Sequence, residues 1–305
     1  MIINKLKRIY ERYAKLIGSI YKIQEALGRI EKRQLENCTD CRVSEFRVFS
    51  QWGEDGIIQY LLKHVPIERT IFVEFGVENY IESNTRFLLT NNQWSGLVID
   101  GSAENIDYIR RDQLYWATNL QAVHAFITKD NINDIISKND IIGDIGLLSI
   151  DIDGNDYWVW EAIKTISPRI VICEYNSHFG PTAEVTTPYD SDFVRDTAHF
   201  SKIYYGASIQ ALCSLASIKG YTLVASNAAG NNIFFVRNDL LGSLPVLTPI
   251  MAYRRAQFRE HHDQNGNLTF NNYETRLRSI SNLPVYDLKT NKLILLKDIP
   301  EILSK

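Results

Sequence analysis

The sequence predicts an α/β fold in which five parallel strands, joined by crossover helices, are closed by an antiparallel hairpin and preceded by a helical arm. Short β-branched runs alternate with segments long enough to cross over the sheet as helices, which is the pattern of a mostly parallel sheet covered on both faces. The last two runs are separated only by Ser226-Asn-Ala-Ala-Gly-Asn231, too short for a helix and rich in turn residues, so a hairpin must join them. Hydrophobic residues at 45% and charged residues at 23% are globular proportions; they exclude disordered, collagen-like and membrane-spanning classes and allow a sizeable core.

The arm comes first. Leu6, Ile9, Tyr13, Leu16, Ile20, Ile23, Leu27 and Ile30 recur at alternating steps of three and four, an unbroken heptad seam. Such a seam on an otherwise polar helix cannot be buried by itself, so residues 1–36 are expected to form a coiled-coil-like oligomerisation arm and the protein a homo-oligomer; an amphipathic helix lying along its own domain is the alternative. Residues 1–35 hold nine Lys or Arg against three Glu, a net +6 against −9 for the remainder, which leaves weak membrane-surface contact as a third reading. Residues 37–48 are polar and aperiodic and read as a linker. Cys38-Thr-Asp-Cys41 within it has no second Cys or His pair nearby to complete a zinc site, so no metal is expected there.

Residues 49–240 carry the sheet, with strands expected at 70–75, 96–100, 122–127, 146–150, 169–174, 221–225 and 232–237. Helical periodicity over 206–219 ends at Gly220, where a C-terminal cap belongs. Residues 241–305 are expected to be an extension packed on the core. Its Tyr253-Arg-Arg255 and Arg259-Glu-His-His262 read as a solvated charged face, with a grip on a phosphorylated acceptor as the alternative. A net charge of −3 offers a polyanion no general attraction, so nucleic acid is not an expected partner. Four scattered cysteines suit a reducing compartment, no apolar stretch approaches the roughly 18–20 residues of a transmembrane segment, and the charged N-terminus is unlike a signal peptide; a cytoplasmic protein is expected.

Several segments in order, Ser50-Gln-Trp-Gly-Glu-Asp55, Val73-Glu-Phe-Gly-Val-Glu78, Glu82-Ser-Asn-Thr85, Leu97-Val-Ile-Asp-Gly101, Leu148-Ser-Ile-Asp-Ile-Asp-Gly154, Cys173-Glu-Tyr-Asn176 and Tyr204-Tyr-Gly206, resemble the FkbM-type branch of the class I methyltransferases. The resemblance covers roughly residues 49–240 and implies a seven-stranded Rossmann-like methyltransferase sheet. It also implies an enzyme that uses S-adenosylmethionine, with Gln51, Glu74, Gly76, Asn84, Asp100, Gly101, Ser102 and Asp151 at the cofactor. In open α/β sheets ligands bind beyond the carboxyl ends of the strands. Gly76 would let backbone approach the methionine part of the cofactor, although Val77, Glu78, Asn79 and Tyr80 follow where a glycine-rich loop is usual. Asp100 stands where an acidic side chain accepts hydrogen bonds from both ribose hydroxyls. Glu54 and Asp55 would close over the cofactor or simply open a helix, and residues 128–130 would meet the adenine edge.

Asp151 and Asp153 follow the fourth strand, and Glu174 and Asn176 the fifth, with the same spacing of two that places strand side chains on one face. Convergence of three carboxylates and an amide oxygen favours Mg2+, Mn2+ or Ca2+ over zinc. Metal-assisted sugar O-methyltransferases look similar here. The bland reading is that Asp153-Gly-Asn-Asp156 is only a turn and helix cap. Methylating a hydroxyl needs a base; His178 directly follows the fifth strand and is the expected one beside Asp151, with His199 second. The polar stretch 180–195, with Tyr189 and Asp190, is long enough to be an acceptor lid. The expected function is an O-methyltransferase with Mg2+ or Mn2+ assisting, and the resemblance implies a sugar hydroxyl of a glycan or glycan precursor as the small-molecule or glycan acceptor. The alternative is a non-catalytic scaffold that recruits partners through its arm. A nicotinamide-dependent oxidoreductase is disfavoured because no G-x-G-x-x-G follows the first strand.

Overall fold

The computed structural model describes residues 2–303. Seven strands form the main sheet: β1 (Ile71–Phe75), β2 (Ser95–Asp100), β3 (Leu120–His124), β4 (Gly143–Ile150), β5 (Ile166–Glu174), β7 (Tyr221–Ser226) and β8 (Asn232–Arg237). Their order is β3-β2-β1-β4-β5-β8-β7; β1 to β5 are parallel, and β8 lies antiparallel between β5 and β7. This is the Rossmann-like methyltransferase sheet with its antiparallel terminal hairpin.

Period-two alternation explains why it is covered on both faces. Val73, Phe75, Leu97 and Ile99 enter one apolar cluster with Trp160, while Phe72, Val98, Leu147 and Ile170 enter another with Leu61 and Leu88. Gly220 ends the helix Ile209–Lys219 in the left-handed conformation (φ 82°), as a C-terminal cap does. The third strand stops at His124, paired with Asp100, three residues short of the predicted end. Ile127 is buried against the core from a loop, so its apolar character reports packing rather than pairing.

Beyond the predicted strands, a three-stranded sheet joins β6 (Val185–Thr186), β9 (Pro284–Asp287) and β10 (Lys292–Leu295) in the order β10-β9-β6. The polar stretch predicted to be a lid therefore contains a strand held by the C-terminal extension. Tyr253 Oη donates to the Ser177 carbonyl at 2.7 Å, Tyr273 Oη to that of His178 at 3.0 Å, and Leu288 N to that of Glu184 at 3.0 Å, tying the extension to the edge of the site.

The arm is one helix, α1 (Ile2–Gln34). It docks on the domain through Tyr21, whose ring meets Phe49 edge-on, and through Gly28, which packs directly on Val48 and Phe87. The heptad seam is not the docked face. Among the described residues no helix is long and apolar enough to cross a membrane.

Candidate functional site

Strand order reverses between β1 and β4, and a crevice opens there beyond the carboxyl ends of the parallel strands, where ligands of open α/β sheets bind. It is a cavity of about 250 Å³. Gln51, Glu74, Gly76 and Asn84 line one side, and Asp151, Asp153, Glu174 and Arg195 the other.

The β1 side is built by Glu74. Its buried carboxylate accepts from Ser83 Oγ at 2.6 Å, Asn84 N at 2.9 Å, Thr85 N at 3.2 Å and Thr85 Oγ1, and burial raises its pKa above the ordinary carboxylate value. These bonds fold residues 83–85 against the strand end and bring Asn84 to the cavity, where its Nδ2 donates to Ser149 Oγ at 3.1 Å. Gly76 adopts φ +66°, and a Cβ there would lie 1.7 Å from the carbonyl oxygen of Asp151. Backbone meets backbone at that point, which only glycine permits.

The glycine-poor loop that follows has its own support. Glu78 (φ 47°) and Tyr80 (φ 62°) take left-handed conformations without being glycine, and Glu78 N donates to Asp100 Oδ2 at 2.7 Å. The other Asp100 oxygen accepts from Ser102 N at 2.8 Å and Asn105 Nδ2 at 3.1 Å. Asp100 is thus on the predicted rim, next to Gly76, whose N–H donates to Ile99 O at 3.0 Å. Its carboxylate fastens the loop and the next helix and does not line the cavity. Ser102 caps that helix by accepting from Asn105 N, and Gly101 lies beside Phe126; neither reaches the cavity. Thr128 and Asn131 spend their polar groups on a local turn, with Thr128 N donating to Asn131 Oδ1 at 2.8 Å, while Lys129 lies over the Tyr189 ring.

Opposite, Asp151, Asp153 and Glu174 each offer a carboxylate oxygen within 4.8 Å of the others. Asp153 is carried there by a left-handed turn (φ 56°) rather than by the strand pleat. Asp156 shapes that turn: its buried carboxylate accepts from Ile152 N at 2.8 Å and Gly154 N at 2.9 Å, and burial pushes its pKa up to about 6. Burial and then the neighbouring acids push Asp151 and Glu174 well above ordinary carboxylate values. Glu174 Oε2 is buried without a hydrogen-bond partner among the described residues. Arg195, at the end of the polar stretch and not among the residues the sequence predicts for the site, pairs with Asp153 and with Glu260 Oε2 at 2.7 Å, its guanidinium 3.7 Å above the Tyr205 ring. Its only trace in the sequence is a cation at the end of a polar stretch that must face three acids.

Two predicted residues are not part of this cluster. Asn176 has already left the strand and turns inward; its Nδ2 donates to the carbonyls of Ile203 and Tyr205 at 2.9 Å each, and its Oδ1 accepts from His178 N. With its amide so occupied and fully buried, it is no ligand of the acidic cluster. His178, predicted to be the base, is 2% exposed and stacks on Tyr273 at 5.9 Å with the rings 5° from parallel. Burial, and then the Arg276 charge, pushes its pKa down to about 3, so it stays neutral and sealed away from the cavity. His199 is held by Ser201 Oγ at 2.7 Å and does not line the cavity either. Glu54, fully buried, accepts from Asn227 and Asn232 side chains, while Asp55 accepts the N–H groups of Val48, Phe49 and Ser50; both are structural supports of the wall that bears Gln51.

No protein-family model matches the chain, and no curated protein matches it. Among solved structures it is similar to the N-terminal domain of EvdMO1 with SAH bound, at 12% identity over 70% of this chain and 95% of that one, with a TM-score of 0.40. It is also similar to a S-adenosylmethionine-dependent methyltransferase from Clostridium acetobutylicum ATCC 824, at 10% identity over 70% and 98% of the two chains and a TM-score of 0.40. A third similar structure is M. capricolum TrmK in complex with S-adenosyl-homocysteine, at 12% identity over 59% and 67% and a TM-score of 0.36.

Proposed function

We propose that the crevice binds S-adenosylmethionine and directs its methyl group to a sugar hydroxyl, with Mg2+ or Mn2+ held by Asp151, Asp153 and Glu174. The observation that carries this reading is the meeting of those three carboxylates with the Gly76 backbone in one cavity at the switch point of a methyltransferase-type sheet. An all-oxygen set containing a buried, unpartnered Glu174 Oε2 fits a hard divalent cation. When bound, the cofactor supplies an electrophilic methyl on its sulfonium, and the cation neutralises the acids and holds the acceptor oxygen.

The chain's own residues do the rest. The Gly76 turn and the loop bound by Glu74 shape the wall for the cofactor; Gln51 and Asn84 give it polar contacts. Asp151 stands between that wall and Glu174, so a carboxylate oxygen of the acidic set that the cation leaves free is placed to receive the proton that the hydroxyl loses. Holding the hydroxyl oxygen in line with the methyl supplies roughly 7–11 kcal/mol of the barrier reduction. The sugar class of the acceptor rests on the sequence resemblance and on these acids.

Titration calorimetry of the full chain with S-adenosylmethionine tests the reading. A saturable isotherm is expected, together with heat for Mn2+ that disappears in Glu174→Gln. Absence of any cofactor heat in folded protein would overturn the enzyme reading in favour of a scaffold. Cofactor heat with no Mn2+ heat would overturn the cation alone.

A further inference from the structure

We propose that α1 associates, seam against seam, with the α1 of another copy of this chain, so that the sheet domains are carried on the outside of a coiled coil. The inference stands on the arm alone and is independent of what the crevice binds.

All eight seam residues are exposed. Leu6, Ile9, Tyr13, Leu16, Ile20, Ile23, Leu27 and Ile30 show 47–63% of their surface, although α1 is already docked on its domain. The docked face, with Tyr21 and Gly28, occupies the b positions of the same heptads, roughly 100° around the helix from the a positions. Docking therefore uses one face and leaves the other to a partner. The seam runs about 36 Å, and its exposed apolar surface is on the order of 800 Å², the share that one partner gives to a standard specific interface.

The spacing decides which partner. A helix that lies on a membrane needs a broad apolar face that follows the 3.6-residue turn, whereas this stripe keeps strictly to a and d for eight positions and so drifts about 20° per heptad around a straight helix. Only a helix with the same drift stays in register with it, and a second copy of α1 has it by construction. α1 contains neither Trp nor Phe to anchor in lipid. Parallel pairing in register sets Arg12 opposite Ile17 and Ala26 opposite Glu31, with no like charges facing across the flanks. The basic row Arg8, Lys15, Lys22 and Arg29 falls at c positions, which face outward in a two-helix coil.

Sedimentation velocity on the full chain at tens of micromolar reads this directly. The wild type is expected at a multiple of 35.1 kDa, and Ile20→Glu combined with Ile23→Glu at 35.1 kDa with an unchanged thermal midpoint of the domain, since both side chains are exposed in the single chain. A wild type that sediments at the single-chain mass overturns the proposal, as does a double variant that keeps the assembled mass. Flotation of a single-chain species with vesicles containing phosphatidylserine would assign the seam to a membrane surface, and overturn the proposal too.

Discussion

A Cβ on Gly76 would sit 1.7 Å from the carbonyl oxygen of Asp151, so the close approach of the β1 and β4 ends depends on a single hydrogen atom. Gly76→Ala must push those ends apart while holding alanine at φ +66°, a conformation that costs roughly 1–2 kcal/mol by itself. With the overpacking added, the urea midpoint should report a loss of about 3 kcal/mol, and cofactor and Mn2+ heats should vanish together. An unchanged midpoint would show that the rim relaxes freely. The sequence pointed to Gly76 for a neighbouring reason, close approach of a ligand; the backbone it admits first is the protein's own. Asp100 has the same history. Its place at the end of β2 was legible, but a carboxylate at a strand end has several possible donors, and here Glu78 N, Ser102 N and Asn105 Nδ2 take it. His178 directly follows β5 in sequence, but nothing in the sequence announces that Tyr273, ninety-five residues on, stacks over it and closes it off.

Elements whose pattern is local were readable, and those that depend on distant pairing were not. The hairpin of β7 and β8 follows from one turn-rich stretch, and α1 from one heptad pattern. β6, only Val185–Thr186, carries no signal of its own and exists because β9, about a hundred residues later, offers it a ladder. At the strand ends a spacing of two brings Asp153 near Asp151 only because a left-handed turn, and not the pleat, carries it round, and at Asn176, beyond the end of β5, the side chain turns inward. For α1 the docking point is as specific as the seam. A Cβ at Gly28 would lie 2.4 Å from Val48 Cγ2 and 2.9 Å from Phe87 Cζ. Gly28→Val should therefore detach the second half of the helix at a cost of about 1–3 kcal/mol. Hydrogen exchange is expected to quicken across 21–34 while β1 and β4 keep their protection; protection unchanged in the helix would mean that docking there is not set by Gly28.

At the scale of the whole molecule, the crevice is walled by distant stretches of chain, among them Gln51, the β1 loop, the β4 and β5 ends and Arg195, and the C-terminal extension braces it by pairing Glu260 with Arg195. This arrangement buries titratable groups of opposite tendency, and their balance sets how stability responds to pH. His178 is held down to about 3, against roughly 6.5 in an unfolded chain, so its contribution is fully present above pH 6.5 and is lost as the pH falls below that value. Asp55 and Asp156 are pushed up to about 6 by burial, so they act in the opposite sense: the stability tied to their protonated forms is lost as pH rises from about 4 to 6. Between pH 4.5 and 6.5 the wild type sums these opposing slopes, two acids against one histidine. Removing the histidine takes away one opposing slope and leaves the acids in place. In His178→Gln the unfolding free energy should rise on acidification from pH 6.5 to 4.5 relative to wild type by about 1.4 kcal/mol per pH unit, roughly 2.7 kcal/mol in all. Urea unfolding of both proteins at the two pH values measures the difference. Parallel curves would mean that His178 is protonated in the folded protein, and that the Tyr273 side of the site is open to water after all.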